Sequence, residues 1–200
     1  LSQKVLCEIG GLPMVVLSAK NASKVDEVIV ACDDEAIMQV CQSHNIKCVM
    51  TDKNHTSGTD RCAEAARILG LDSKEIILTL QADEPFIEDS LLQTLQSLTQ
   101  RSGAFMNTLA KEISIDERDD PNLVKVVLNA NNEALYFSRL GIPYWRDRAQ
   151  GVQASHAYLG HLGLYGFINE NLQAFCTLPK SPLEDIEKLE QLRALYYGKK

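Results

Sequence analysis

The fold is decided by the stretch Glu75-Ile76-Ile77-Leu78-Thr79-Leu80-Gln81-Ala82-Asp83-Glu84-Pro85. Its apolar, β-branched first half predicts a buried strand, which ends abruptly in an amide, two carboxylates and a proline. In an open parallel α/β sheet, ligands bind just beyond the carboxyl ends of the strands. A carboxylate there, such as Asp83, can hold a hard cation like Mg²⁺, which prefers oxygen ligands and often bridges to substrate phosphates. The alternative is that Asp83 or Glu84 only caps the following helix.

Strands and helices alternate on both sides of this stretch. Short apolar strands are predicted at 28–31 and 46–50, with Asp34 as the N-cap of the helix between them. A further helix is predicted from about residue 60 to 69, and the helix after the stretch carries leucines at helical spacing. Strands separated by helices of this length indicate right-handed β-α-β units and a mostly parallel sheet.

The second half of the chain is predicted to be richer in strands. The segments 123–128 and 134–138 flank Asn129-Ala130-Asn131-Asn132. This pattern predicts a hairpin, because asparagine tolerates the positive φ that tight turns need. A further strand is predicted at 159–167.

The last helix has a clear start in the sequence. Ser181, Pro182 and Glu184 predict a capping box with proline at the first helical position. Glu190 falls on the inner arc of this helix and needs a partner, because an unpaired buried charge is costly. We expect either an ion pair with Arg193 or a contact with a ligand. The predicted apolar stripe of the helix comprises Leu183, Ile186, Leu189, Leu192 and Tyr196.

Composition argues against several classes of protein. The 200 residues, of which 45% are hydrophobic, fit one domain with a real core. The net charge of −7 argues against non-specific nucleic-acid binding. No apolar stretch approaches the roughly 20 residues that span a bilayer, so neither nucleic acid nor membrane is expected as a partner. The six cysteines form no C-x-x-C pair, which favours free thiols in a reducing cytoplasm.

The start of the helix near residue 58 could carry chemistry. Ser57, Gly58 and Thr59 offer hydroxyls and an unhindered glycine at a helix N-terminus, which suit an anion or the polar edge of a nucleotide. Ordinary capping by Thr59 is the alternative. Arg61 opposes the helix dipole in the first turn, so we expect it to have a partner, namely Asp60, Glu64 or a ligand.

Arg139 and His161 each have two interpretations. Arg139 closes a predicted strand and is suited to bidentate contacts with a carboxylate or phosphate, or it is a solvated charge at the strand end. His161 has glycines on either side, at 160 and 163, that allow close backbone approach. It is either functional or a structural histidine in an apolar strand.

Together these motifs resemble the 3-deoxy-D-manno-octulosonate (Kdo) cytidylyltransferases of Gram-negative bacteria over essentially the whole chain. The last three of the motifs given in the next sentence, which begin at Ala134, Gly160 and Pro182, belong to the sugar-binding half and are specific to this family. The motifs are Gly11-Leu12-Pro13-Met14, Ala31-Cys32-Asp33-Asp34, His55-Thr56-Ser57-Gly58-Thr59-Asp60-Arg61, Gln81-Ala82-Asp83-Glu84-Pro85, Asn122-Leu123-Val124-Lys125-Val126-Val127, Ala134-Leu135-Tyr136-Phe137-Ser138-Arg139, Gly160-His161-Leu162-Gly163-Leu164-Tyr165-Gly166, and Pro182-Leu183-Glu184 through Leu189-Glu190-Gln191-Leu192-Arg193.

The resemblance implies an α/β protein with a nucleotide-diphospho-sugar transferase fold in a single domain over residues 1–200. The expected architecture is a mostly parallel Rossmann-like sheet with helices on both faces, and a smaller β-rich lobe. Residues 1–110 would bind the nucleotide, and residues 111–200 would bind the sugar and form the dimer. The family extends beyond both ends of this chain, so we expect an upstream phosphate loop and a downstream metal-binding acidic residue that the chain does not contain.

The resemblance also implies an activity and its residues. A cytoplasmic homodimer would use CTP and Mg²⁺ to convert Kdo to CMP-Kdo and pyrophosphate for lipopolysaccharide biosynthesis. Its catalytic residues would be Lys4, Asp83 and Arg139, with Asp83 as the metal ligand. The nucleotide-binding residues would be Lys4, Ser57, Gly58, Thr59, Arg61 and Gln81. The sugar-binding residues would be Arg139, His161, Tyr165, Glu190 and Gln191.

One residue departs from the family pattern. Ala82 stands where the family has glycine, and a positive φ at this alanine would cost about 1–2 kcal/mol. Ala82 and the two expected missing segments leave a second hypothesis, a non-catalytic homologue that binds a nucleotide or a sugar. A cytidylyltransferase for a related sugar acid is a further alternative.

Overall fold

The computed structural model of the chain describes residues 4–146 and 158–200. The chain divides into two compact units, each made of two segments. The first unit takes in Leu1–Gly103 and Leu164–Thr177, and the second takes in Ala104–Gly163 and Leu178–Lys200. The assignment of nucleotide binding to residues 1–110 and of sugar binding to residues 111–200 stays a prediction.

The first unit alternates short strands with helices, as the sequence predicts. Its strands are β1 (Glu8–Ile9), β2 (Leu12–Pro13), β3 (Ile29–Cys32), β4 (Lys47–Met50) and β5 (Ile76–Thr79). Its helices are α1 (Met14–Ala22), α2 (Glu35–Ser43), α3 (Gly58–Ile68) and α4 (Asp89–Ser102), with α5 (Asn169–Thr177) added from the second segment. A 3₁₀ turn, Lys4–Leu6, precedes β1.

The second unit is richer in strands. It contains β6 (Asn107–Ile113), β7 (Lys125–Leu128), β8 (Ala134–Ser138) and the start of β9 (Tyr158–Ile168), whose end belongs to the first unit. Two short helices, α6 (Pro182–Glu187) and α7 (Gln191–Tyr196), follow near the end of the chain, and a 3₁₀ turn spans Glu117–Asp119. In the described parts of both units, every helix is too short or too polar to cross a bilayer.

The α/β class is confirmed, but the strand pairing is mixed rather than mostly parallel. β3 and β4 pair in parallel. β5 runs antiparallel to the end of β9, and β7 runs antiparallel to β8 and to the start of β9. The reason is that a tight turn, and not a helical crossover, joins β7 to β8, and such a turn can only produce an antiparallel pair. Asn132 has a φ of 60° in that turn, as the predicted hairpin requires.

The predicted last helix is wrong as a single element. The capping box of Ser181 and Glu184 is confirmed, but α6 ends at Lys188, which has left-handed backbone with a φ of 56°. The chain then begins a new helix at Gln191. Because of this break, the predicted apolar stripe divides: Leu189 and Leu192 are buried, whereas Ile186 and Tyr196 are mostly exposed.

Arg193 has a partner that was not predicted from the sequence. Arg193 forms a two-pronged ion pair with Glu184, through Nη2 to Oε1 at 2.6 Å and Nε to Oε2 at 2.9 Å. Both side chains are buried. The pair links α7 to α6, and Glu190 lies at the start of α7 instead of on the inner arc of one long helix.

Each unit has its own apolar core. In the first unit, Val15 and Val16 of α1 pack with Ile37 and Cys41 of α2 and with Cys32 of β3. In the second unit, the core joins β7 and β8 to the helices near the end of the chain, through Val126, Phe137, Leu189 and Leu192. All six cysteines are free thiols.

Candidate active site

Asp83 lies in the turn that follows β5 and contacts Lys4. The Lys4 Nζ donates to Asp83 Oδ2 at 2.8 Å. Both side chains are substantially exposed, at 55% for Lys4 and 40% for Asp83. The hydrogen bond to Asp83 is the main reason why the pKa of Lys4 is raised above its ordinary value. Two of the three predicted catalytic residues therefore meet, at the position where the sequence predicts a ligand.

Helix α1 holds the backbone of this turn. The buried Ser18 hydroxyl donates to the carbonyl of Ala82 at 2.8 Å, and the Asn21 side-chain amide donates to the carbonyl of Pro85. The two contacts fix the turn on either side of Asp83. The positive-φ strain considered for Ala82 is not present, because Asn45, Asn132 and Lys188 are the non-glycine residues with positive φ in the described ranges.

The start of α3 lies against Gln81. Ser57, and not Thr59, is the N-cap, and its Oγ accepts from the Asp60 amide at 3.1 Å. Thr59 is buried. A Cβ added at Gly58 would lie 3.1 Å from Gln81 Nε2. A side chain at Gly58 would therefore displace the amide that the resemblance assigns to the nucleotide.

Arg61 has a partner that none of the sequence alternatives named. Its Nη2 donates to Asp33 Oδ2 at 2.7 Å, and its Nη1 donates to Thr51 Oγ1 at 2.7 Å. Asp33 follows the end of β3 as Asp83 follows the end of β5. Glu64, one of the predicted partners, instead accepts from the Asp52 amide at 2.8 Å and contacts His55 Nε2 at 2.5 Å.

A cavity of about 820 Å³ in the first unit collects three of the predicted nucleotide residues. Gly58, Arg61 and Gln81 line it, together with Asp33 and Lys53. The rest of its wall is mostly apolar and comes from helices and from β3 and β5. A volume of this size lies within the range of small-molecule sites.

The side chains around Asp83 decide whether a metal ion fits there. In residues 4–146 and 158–200, no three histidine, cysteine or acidic side chains converge as a ready-made metal cage. Mg²⁺ does not need such a cage, because it commonly binds through one or two carboxylates and takes its other ligands from water and substrate phosphates. The exposed carboxylate of Asp83 therefore fits this metal, provided that a phosphate substrate supplies further oxygens.

Arg139 is held at the end of β8 in the second unit. Its Nε donates to the carbonyl of Glu187 at 2.8 Å, and its Nη1 donates to the carbonyl of Pro121 at 3.0 Å. Its amide donates to Glu187 Oε2 at 3.0 Å. The Nη2 group of Arg139 makes no hydrogen bond to a described residue, so part of the guanidinium remains available. Arg139 is therefore not simply a solvated charge.

His161 lies in the interior of the second unit. Its side chain is 8% exposed, and its ring packs edge-on against Phe137 with the centroids 4.9 Å apart. Its Nε2 shares a hydrogen bond with Thr108 Oγ1 at 2.8 Å. Burial lowers the pKa of His161 from 6.5 to about 4. The imidazole is therefore neutral at physiological pH.

The other predicted sugar-binding residues lie in different places. Tyr165 is buried on the part of β9 that belongs to the first unit, opposite Thr79 at the end of β5. Glu190 and the buried Gln191 begin α7, directly after the helix whose Glu187 holds Arg139. Within residues 4–146 and 158–200, the guanidinium of Arg139 donates to Glu187 and Pro121.

Several residues of this site were not predicted from the sequence. Asp33 gives the same signal as Asp83, a carboxylate directly after an apolar strand, and could have been found. Ser18 and Asn21 are polar residues three apart on the apolar helix α1, which is a weaker signal. Lys125, which is fully buried and contacts the carbonyl of Arg139, interrupts an apolar strand. A lysine at such a position indicates a specific buried partner.

Comparison with known proteins shows the family to which this chain belongs. A family model described as Cytidylyltransferase matches residues 1–200. The 3-deoxy-manno-octulosonate cytidylyltransferase of Helicobacter pylori (strain HPAG1) is 57% identical over 198 residues, which cover 98% of this chain and 80% of that protein. The protein of the same name from Wolinella succinogenes is 50% identical over 203 residues, covering 99% of this chain and 82% of its own length.

A solved structure is similar over the same extent. It is that of CMP:2-keto-3-deoxy-manno-octonic acid synthetase complexed with CTP, and it superposes with a TM-score of 0.89 at 38% identity. The match covers 99% of this chain and 80% of the solved chain. This chain therefore belongs to the cytidylyltransferase family, and within it to the 3-deoxy-manno-octulosonate cytidylyltransferases.

Proposed function

We propose that this chain transfers the cytidylyl group of CTP to Kdo. The oxygen of the anomeric hydroxyl forms a bond to the α-phosphorus, and its proton passes to solvent. The bond from the α-phosphorus to the bridging oxygen breaks, and pyrophosphate leaves with the electron pair. The names of the relatives support this reaction, as does the CTP bound to the similar solved structure. The observation that carries the proposal is the contact between Lys4 and Asp83 in the turn after β5, next to Gln81.

The reaction requires charge neutralisation and alignment more than covalent chemistry by the protein. Lys4 and Arg61 are the two cations among the predicted nucleotide residues, and each is paired with a carboxylate. The exposed pair of Lys4 and Asp83 contributes little to stability, because solvent screens it. Lys4 can therefore exchange Asp83 for a phosphate oxygen at little cost. Arg61 is more enclosed, and its pair with Asp33 fixes the start of α3.

We propose that Asp83 holds Mg²⁺ when CTP is present. Bound there, Mg²⁺ would neutralise phosphate charge, which neither Lys4 nor Arg61 can do alone in a chain with a net charge of −7. Ser18 and Asn21 keep the Asp83 turn in place through its backbone. Gln81 would contact the cytosine edge with its amide, which lies in the space that a side chain at Gly58 would otherwise take.

For the sugar acid, Arg139 is the anchor that the contacts support best. Its Nε and Nη1 are used within the protein, and its Nη2 is available to a carboxylate oxygen. His161, Tyr165, Glu190 and Gln191 remain proposed sugar contacts. His161 would act as a neutral hydrogen-bonding group and not as a cation, because its pKa lies far below neutral.

Substitution of Asp83 by asparagine tests the reaction. Asp83→Asn keeps the size of the side chain but removes its charge, so we expect the rate of pyrophosphate release from CTP and Kdo with Mg²⁺ to fall by about 100-fold or more. Asp72→Asn is the matched control, because Asp72 is an exposed aspartate that precedes β5 and caps its own turn. We expect the control to retain the full rate.

The same assay separates the alternatives. Turnover of Asp83→Asn at the rate of the unaltered chain would refute the role of Asp83. Binding of CTP by the unaltered chain without pyrophosphate release would favour the non-catalytic homologue. Release with another sugar acid in preference to Kdo would favour the related-substrate alternative.

We further propose that the enzyme is a homodimer that works in the cytoplasm for lipopolysaccharide biosynthesis. The second unit exposes large apolar side chains at Leu135, Leu140, Tyr144 and Ile186. A second copy of the chain would cover them. A sedimentation-equilibrium mass of one chain at micromolar concentration would contradict the dimer.

A further inference from the structure

Lys125 is a fully buried cation at the start of β7 that makes no ion pair with any described residue. Its Nζ donates to two backbone carbonyls, that of Asp120 at 2.7 Å and that of Arg139 at 2.5 Å. Burial lowers the pKa of Lys125, although nearby carboxylates, of which Asp120 is the strongest, oppose this effect. A buried ammonium is costly unless its donors are used. The two carbonyls therefore give this lysine a specific structural task.

The two carbonyls belong to the turn at Asp120 and to the end of β8, and the side chain of Arg139 also joins these two segments. The guanidinium of Arg139 donates from Nη1 to Pro121, the residue after Asp120. Lys125 thus fixes the main chain of Arg139 to the turn at Asp120 and Pro121, and the guanidinium of Arg139 contacts the same turn. On the other side, Glu187 accepts from both the amide and the Nε of Arg139. Main chain and side chain are held together, and Nη2 is the nitrogen of the guanidinium that makes no hydrogen bond to a described residue.

We propose that Lys125 is a positioning residue that aims the Nη2 group of Arg139 at the carboxylate of the sugar acid. The inference rests on the proposed function, because it assigns that carboxylate to Arg139. An ammonium suits this task because its three donors reach both carbonyls at once. An apolar residue in the same space would leave both carbonyls without a donor, and the end of β8 would be free to shift. A shift of about 1 Å at a positioning group can cost about 100-fold in rate.

A double-mutant cycle tests the role of Lys125. The variants are Lys125→Gln, Arg139→Gln and the double variant, and the measured quantities are kcat and the KM values for Kdo and for CTP in the pyrophosphate assay with Mg²⁺. We expect Lys125→Gln to raise the KM for Kdo by about 10- to 100-fold and to leave the KM for CTP within about twofold. With Arg139→Gln already present, we expect Lys125→Gln to add less than about threefold, because residues that act as a unit are non-additive.

Two further variants separate positioning from folding. Lys125→Arg restores donors and charge, whereas Lys125→Met has a similar length and no donor, so we expect the KM for Kdo to recover with arginine and not with methionine. Lys111→Gln is the control, because Lys111 is an exposed lysine of the same unit. We expect Lys111→Gln to change neither KM.

The outcomes distinguish the inference from the proposed function. Absence of pyrophosphate release by the unaltered chain would refute the proposed function. Full activity of the unaltered chain, with Lys125→Gln acting by the same factor whether or not Arg139 is present, would overturn only the role of Lys125. Unfolding of all Lys125 variants by circular dichroism would assign Lys125 to stability and would also overturn the inference.

Discussion

The burial of His161 predicts that the folded chain loses stability in mild acid. Its pKa lies at about 4 in the folded chain, because burial disfavours the charged ring, and at 6.5 when the ring is exposed. Between these values the unfolded chain binds a proton that the folded chain does not. The contribution of His161 to the free energy of unfolding is therefore complete above pH 6.5 and is lost as the pH falls toward 4.

The size of the effect follows from the same two values. Within this interval, each pH unit changes the free energy of unfolding by about 1.4 kcal/mol. The total loss is about 3 kcal/mol, and about 2 kcal/mol of it falls between roughly pH 7.5 and roughly pH 5. That loss is a large fraction of the roughly 5–15 kcal/mol by which a domain is stable.

The measurement compares urea unfolding of the unaltered chain and of His161→Gln at both pH values. Glutamine keeps a donor and an acceptor for Thr108 but does not titrate. Glu64 and Glu133, whose pKa values are lowered by hydrogen bonds, also lose stabilising contacts in acid, and they do so equally in both proteins. We expect the unaltered chain to lose about 2 kcal/mol more than the variant. Equal losses, or an NMR titration of the His161 ring with a midpoint near 6.5, would refute the reasoning.

Two other contacts give sharp expectations. Arg193→Met should destabilise the chain by about 3–5 kcal/mol in urea unfolding, because it leaves the buried Glu184 carboxylate without its cation; a change below about 1 kcal/mol would contradict this. Ser18→Ala should cost about 1–3 kcal/mol and raise the Mg²⁺ concentration for half-maximal turnover, because the Asp83 turn loses its anchor. Ser23→Ala, which removes an exposed hydroxyl contact at the C-cap of the same helix, should change neither quantity.

Local signals in the sequence predicted local structure well. The N-cap at Asp34, the capping box at Ser181 and the positive φ at Asn132 each depend on residues within a few positions, and all three are confirmed. The break in the last helix was not predictable in this way. Lysine is a good helix former, and nothing around Lys188 indicates the left-handed backbone that it adopts. The break depends on the packing of Leu189 and Leu192 into the second core, which is a tertiary effect.

The pairing of strands could also be predicted only where it depends on local sequence. Alternation of strands and helices correctly predicted the parallel pair of β3 and β4. It could not predict that β9 returns beside β5 in the opposite direction, because the two strands lie about 80 residues apart and their register depends on contacts across that distance. The resemblance to a family supplied what periodicity could not, namely the residues that should act together.

In the candidate site, a charged residue of interest can be identified from the sequence more easily than the role of that residue can. Arg61, Lys125 and Arg193 lie in the quoted motifs and Lys4 precedes the first of them, yet these cations differ in their partners. Lys4 has an exposed carboxylate that it can leave, whereas Arg61 and Arg193 have enclosed carboxylates that they cannot leave without cost. Among the residues that the structure describes, Lys125 has backbone carbonyls as its hydrogen-bond partners. The difference lies in burial and in the identity of the acceptor, which no spacing rule encodes. A cation that can exchange its partner is suited to bind a substrate phosphate. A cation that cannot exchange its partner is suited to hold in place the residues that bind the substrate.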